Sequence, residues 1–270
     1  MKLANNEKII GGLLDGLKKN SFKTGLVLSG GAVKGFAHAG AIKALEENNV
    51  VPDIVSGVSA GSIVGGFYCD GFTPEETFEI FEKNKIFELV KVRFKKQGLL
   101  TTSGFRKVLK NNLRTKRIED LHKPLVITAT NIEEGITTYF TEGDLVDAIV
   151  ASCSIPVLFT PVKIGGITYV DGGVTNNFPV EPIEAFCKKL IGIHINPQGP
   201  FNPEKGIIHL AMNAFHLSIA SELGKKIEKL ELFIEPKELA KYNYYDLKFG
   251  GEMFDIGYNV ASKIIKSSKN

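Results

Sequence analysis

The sequence contains no tryptophan and only three cysteines, three methionines and five histidines. Cys69, Cys153 and Cys187 are widely spaced, odd in number and form no Cys-x-x-Cys. That argues against a disulfide framework or a zinc-ligand pattern, and leaves buried free thiols in a reducing compartment. His38, His122, His194, His209 and His216 form no His-x-x-x-His or His-Glu-x-x-His. Metal catalysis therefore has no support, and neither a metal site nor an organic cofactor is expected. No uninterrupted apolar stretch is long enough to span a bilayer. The first residues, MKLANNEKIIGGLLDGLKKN, place charges on both sides of a very short apolar run and do not read as a signal peptide. The expected location is the cytoplasm. Internal repeats, low-complexity tracts and obvious linkers are also missing, so a single domain over 22–270, preceded by an N-terminal segment 1–21, is the economical reading.

What is present is an ordinary globular composition, with 43% hydrophobic residues over 270 positions, enough for a sizeable core. The net charge of +3 is modest, but its distribution is not. From Lys85 to Arg117 there are eleven Lys or Arg and one acid, Glu88. Basic and apolar side chains alternate in Lys91-Val92-Arg93-Phe94-Lys95-Lys96, and Leu99-Leu100 follow. The segment 85–117 reads as a basic cap in peripheral contact with an anionic membrane surface, or as a merely solvated basic stretch. No nucleic-acid partner is expected.

Strands and helices alternate along the chain. Phe22–Ser29 reads as a strand ending in a glycine loop, and Ala37–Asn48 has helical periodicity. Asp53–Ser56 is a short strand followed by a small-residue helix. Thr73-Pro74-Glu75-Glu76 is a helix start, with a capping Thr, Pro at the first position and acids in the first turn. Ser103 caps a helix through Asn111, and Asp144 starts one through Ala151. Leu125–Thr130 and Thr137–Phe140 read as strands. Val162–Ile164 and Ile167–Val170 flank Gly165-Gly166 as a hairpin. Lys189–Ile195 and Leu230–Ile234 read as strands, Ile207–Leu223 and Phe254–Ile265 as helices. This is the grammar of a mostly parallel sheet with helical crossovers.

One Gly-x-Ser-x-Gly occurs, Gly57-Val58-Ser59-Ala60-Gly61, between a strand and a helix. In a strand–turn–helix elbow the serine occupies a strained turn, and the flanking glycines avoid clashes with neighbouring strand and helix. The same pattern also suits a plain Gly/Ser loop. Gly30-Gly31-Ala32-Val33-Lys34-Gly35 fits neither Gly-x-Gly-x-x-Gly nor the Walker spacing. It suits an oxyanion hole built from the Gly31 and Ala32 amides, with Lys34 pinning the loop, or simply a tight strand-to-helix turn. Asp171, followed by Gly172-Gly173, is a carboxylate able to take the Ser59 proton directly, or an ordinary Asp-Gly turn. A Ser-His-Asp triad competes, with His194, His209 or His216 as third member; His38 lies close to the glycine loop but precedes the serine.

Taken together, these segments resemble the patatin-like phospholipase family. The resemblance rests on Gly30–Gly35 with His38 and Gly40 following, on Gly57–Gly61, on Ala151-Ser152-Cys153-Ser154-Ile155-Pro156 with Phe159 and Pro161, and on Asp171-Gly172-Gly173 with Asn176-Asn177 and Pro179. It covers about Leu26 to Pro182. It implies a three-layer α/β/α sandwich and a serine acyl-ester hydrolase of lipids, with Ser59 as nucleophile and Asp171 as base and no catalytic histidine. Gly30, Gly31 and Ala32 would surround the oxyanion, with Lys34, Gly35, Gly57, Gly61, Gly172 and Gly173 supporting. An alanine, Ala32, stands where the family usually has a third glycine, and alanine disfavours positive φ. The same dyad would serve an acyltransferase, and the scaffold would also serve a non-catalytic lipid-binding protein.

Overall fold

The computed structural model describes residues 7–15, 17–84, 102–199, 223–243 and 247–268. Their centre is a set of strands buried on both faces over most of their length, with apolar runs such as Leu26-Val27-Leu28 and Leu125-Val126-Ile127. The strands are β2 (Phe22–Leu28), β3 (Ile54–Val58), β4 (Leu125–Asn131) and β8 (Cys187–Ile193). Outside them lie β1 (Glu7–Ile10), β5 (Ile136–Phe140) and β9 (Leu232–Ile234). The order is β1-β5-β4-β3-β2-β8-β9. β2 is parallel to β3 and to β8, β3 to β4, β8 to β9, and β1 to β5, whereas β4 and β5 are antiparallel. The sheet is therefore mixed and mostly parallel, as expected. Within the N-terminal segment, Glu7–Ile10 adds an edge strand that the sequence reading did not anticipate.

Alternate residues of each strand feed opposite cores. Leu26, Leu28, Val55 and Ile127 pack beneath α1 (Phe36–Glu47), α2 (Ala60–Cys69), α5 (Leu145–Ser152) and the closing helix, numbered α8 below (Gly250–Ser268). Val27, Ile54 and Val126 face the other way, onto Phe178, Val180, Ile183 and Leu190. On the first side α1 and α8 touch backbone to backbone. A Cβ on Gly40 would stand 2.0 Å from Phe254 O, and one on Gly257 2.1 Å from Ala37 O.

The start of α3 (Pro74–Lys83) is as read: Glu76 N donates to Thr73 Oγ1 at 3.1 Å and Thr73 N to Glu76 Oε2 at 2.8 Å. The start of α4 (Ser103–Asn112) is not. Thr102 occupies the cap position without a side-chain bond, and Ser103 is already helical. Gly165 and Gly166 both have positive φ, 58° and 86°, and turn β6 (Val162–Ile164) into β7 (Ile167–Asp171). α6 (Glu181–Glu184) precedes β8, which begins two residues earlier than the sequence suggests. The expected helix Ile207–Leu223 falls outside the described residues except for Leu223, which opens α7 (Leu223–Ile227). Residues 85–101 of the basic segment, with His209 and His216, also lie outside them.

Candidate active site

The site is built where two strands end on a third. β5 lies along one edge of β4, so β3 and β7 share the other. β3 runs parallel to β4 and stops with Val58 opposite Thr128. β7 arrives antiparallel and stops with Asp171 opposite Ala129, the next residue of β4. Ser59 and Asp171 therefore stand at the abutting ends of β3 and β7. Gly172 makes this approach feasible, because a Cβ there would lie 2.2 Å from Thr128 O and 2.9 Å from Val58 Cγ2. The place is the C-terminal end of the parallel strands, beside the strand from which the sheet grows in both directions.

Ser59 has φ 51° and ψ −119°, the strained turn expected of an elbow, and caps α2. The glycines act as the sequence suggested. A Cβ on Gly57 would meet Gly61 O at 2.5 Å, and one on Gly61 would meet Leu28 O at 2.4 Å. The turn is held from α5: Ser59 N donates to Ser152 Oγ at 2.8 Å. Two residues on, Ser154 O accepts from Asp171 N at 2.8 Å. The end of α5 thus ties the serine and the aspartate to one short stretch of chain. No role for these two serines was apparent from sequence, because a bond between residues so far apart leaves no spacing to read.

Asp171 is 3% exposed and Ser59 7%. Gly173 N donates to Asp171 Oδ1 at 2.8 Å, whereas Oδ2 is buried without a hydrogen-bond partner among the described residues. Burial pushes the carboxyl up to about 7, opposed by the Ser59 hydroxyl beside it and by the Gly173 amide. Cys153 is close by, but burial and the Asp171 charge push its thiol well up, which keeps it protonated.

In the glycine loop, Gly30 N donates to Asn177 O at 3.2 Å, so the role of Gly30 is spatial. A Cβ on it would stand 2.3 Å from Asn177 Oδ1 and 3.4 Å from Ser59 Cβ. Ala32 does adopt left-handed backbone, φ 51°, at the position where the resemblance leads one to expect glycine. Lys34 is buried and donates from Nζ to Asn196 Oδ1 at 3.2 Å, anchoring the loop to the chain after β8.

The two buried histidines among the described residues have other partners. His38 Nε2 donates to Ser29 O at 2.8 Å, and burial lowers its pKa to about 3. His194 Nδ1 bonds Glu235 Oε1 at 2.9 Å, and burial, with Lys237 and Lys34 nearby, lowers it to about 4. Neither bonds Ser59. In the described part of the basic segment, the three arginines have acidic partners, Arg114 pairing with Glu76 at 3.9 Å. Arg106 pairs with Asp147 and Arg117 with Glu119, while Arg114 stacks 3.8 Å over Phe72. Among the described residues, no helix is long and apolar enough to cross a membrane.

An uncharacterized protein, YqhO, of Bacillus subtilis (strain 168) is 32% identical over 225 residues, covering 71% of this chain and 76% of its own. The lysophospholipase NTE1 of Kluyveromyces lactis is 32% identical over 181 residues, or 63% of this chain and 12% of that much longer protein. A probable lipid hydrolase, 463L, of Invertebrate iridescent virus 6 is 33% identical over 190 residues, covering 61% and 64%. Among solved structures, VipD from Legionella pneumophila matches with a TM-score of 0.59 at 16% identity, over 93% of this chain and 71% of that one; at this identity the likeness concerns the fold. Residues 26–183, which hold the elbow, the glycine loop, the end of α5 and Asp171, match the patatin-like phospholipase family, and the chain belongs to it.

Proposed function

We propose that this lipid acyl hydrolase works through a Ser59–Asp171 dyad. The observation that carries the reading is the convergence of β3 and β7 on adjacent residues of β4, with the buried Asp171 carboxyl beside the Ser59 hydroxyl. Ser59 Oγ attacks the ester carbonyl carbon while its proton passes to Asp171 Oδ2. The carbonyl oxygen becomes an oxyanion and accepts from the amides of Gly31 and Ala32, with the N-terminal end of α2 adding favourable potential. The intermediate collapses, and the leaving alcohol or lysolipid takes the proton from Asp171. Water then attacks the acyl-enzyme, again losing its proton to Asp171, and the fatty acid departs with Ser59 restored. A carboxyl whose pKa is near neutrality suits a group that must both take and return a proton. The substrate class is an acyl ester of a lipid, and the basic segment 85–117 brings the protein to anionic lipid surfaces.

The test compares Ser59→Ala, Asp171→Asn and the double variant on a short-chain chromogenic ester and on lysophospholipid vesicles. A nucleophile and its base act as a unit, so each single change should lower kcat by about a thousandfold or more, with no further loss in the pair. Fluorophosphonate should label the wild type and not Ser59→Ala. A folded Asp171→Asn variant that keeps most of its turnover would overturn the dyad. So would a His194→Ala loss as deep as that of Ser59→Ala, in favour of a triad.

A further inference from the structure

A buried polar cluster lies next to the loop that follows Asp171, and its cation comes from outside the matched residues 26–183. Lys226, on α7, is 8% exposed. Its Nζ donates to Asn176 Oδ1 at 2.6 Å and to Phe178 O at 3.0 Å, and pairs with Glu181 Oε1 at 3.0 Å. Asn176 Oδ1 also accepts from Phe178 N at 3.2 Å. Asn176 Nδ2 donates to Glu181 Oε2 at 2.8 Å and to Tyr139 OH at 3.1 Å, and Tyr139 OH donates in turn to Glu7 Oε1 at 2.8 Å. The amide of Asn176 is thus saturated, and the cluster reaches back to β1.

The ammonium grips the residues on either side of Asn177. Asn177 is the joint between the two halves of the site. Its carbonyl accepts from Gly30 N, and its Oδ1 sits where a Cβ on Gly30 would be 2.3 Å away and one on Gly173 2.8 Å away. Gly173 in turn donates to Asp171 Oδ1. A line of contacts therefore runs from Lys226 through Asn177 to the glycine loop on one side and to the aspartate on the other. Burying an ammonium is unfavourable in itself, and a well-packed apolar side chain of that length would stabilise a fold as well or better. The arrangement makes sense where geometry matters more than stability.

We infer that Lys226 is a positioning residue for the reaction: through Asn176 and Phe178 it sets Asn177, and with it the distance between the Gly30–Ala32 loop and Asp171. The inference rests on the dyad reading above.

The experiment uses the full chain and the variants Lys226→Met, Lys226→Arg and Lys226→Met/Glu181→Gln, with Ser59→Ala alongside. The readouts are kcat and KM on a short-chain ester, the rate of fluorophosphonate labelling of Ser59, and Tm. The double variant removes both charges, so it leaves no lone buried ion and keeps the fold testable if Lys226→Met unfolds. Expected are a fall in kcat of about tenfold or more in the double variant, with KM within about threefold, slower labelling, and Tm near that of the wild type. Lys226→Arg should recover part of the rate. A double variant with wild-type Tm, kcat and labelling, while Ser59→Ala is inactive, overturns the positioning role and leaves the dyad standing. Turnover retained in Ser59→Ala overturns the dyad itself, and the inference with it.

Discussion

Replacing Asp171 by asparagine should remove turnover and at the same time stabilise the protein at alkaline pH. Burial raises the carboxyl from its ordinary 3.8 to about 7, against the Ser59 hydroxyl and the Gly173 amide. In the unfolded chain the group ionises near its ordinary value, so the sign follows directly. Below that value both states are protonated and Asp171 contributes nothing. As pH rises toward 7 the unfolded state ionises first, and stability falls. Above 7 the penalty is complete. A gap of roughly three pH units is worth about 4 kcal/mol. The side chain is 3% exposed, so solvent screening removes little of it. Asparagine carries no charge at any pH, although its amide at the Oδ2 position lacks a partner and takes back roughly 1–3 kcal/mol. The difference in unfolding free energy between Asp171→Asn and wild type should therefore move in favour of the variant by a few kcal/mol between about pH 4 and about pH 8. Urea unfolding at the two pH values measures it. Wild-type kcat/KM should rise over the same interval with a midpoint near 7, as the base ionises. A stability difference independent of pH, or an activity profile flat across neutrality, would refute the reasoning.

Further outcomes are expected at Ala32 and in the basic segment. Ala32 holds φ 51°, so Ala32→Gly should keep turnover and change stability by no more than about 1 kcal/mol, the relief of strain offsetting the added freedom of the unfolded chain. Ala32→Val, with a branched Cβ in the same backbone region, should destabilise by roughly 2 kcal/mol and slow the chemical step, and thermal melts with kcat measurements check both. Changing Lys91, Arg93, Lys95 and Lys96 to Gln should abolish co-sedimentation with anionic vesicles, each basic residue being worth about 1 kcal/mol at such a surface, and leave turnover of a soluble ester unchanged. Wild-type binding should itself weaken steeply with salt, and equal binding by the two proteins would show that these residues are solvated only.

The parts legible in the sequence are those where the backbone leaves no room for a side chain. Gly57 and Gly61 each face a carbonyl at less than 3 Å from where a Cβ would be, so the elbow announces itself as a motif. The hairpin at Gly165-Gly166 and the capping box at Thr73 are local in the same sense. Two kinds of feature escaped. β1 did, because a four-residue edge strand with Glu7 and Lys8 has too little apolar pattern to distinguish it. Lys226 did, and so did the roles of Ser152 and Asn177, which the resemblance names without a task, because each acts on a residue distant in sequence through a single hydroxyl, carbonyl or ammonium. The same limit left the histidines open as catalytic partners. Nothing in the run LIGIHIN tells that His194 is engaged with Glu235.

Because β3 and β7 abut on one strand, β4 is a common floor for the two residues at their ends. When thermal motion tilts or lifts β4, Ser59 and Asp171 ride together: the displacement is shared and the gap between them is not disturbed. Relative motion needs one strand to slip along β4, which breaks the pairing at Val58–Thr128 or at Ala129–Asp171. A reacting pair carried on two free loops has its separation smeared by both sets of fluctuations. Here motion of β4 as a whole is common to both strand ends, so it changes the separation of the Ser59 and Asp171 backbones less than independent loop motions would.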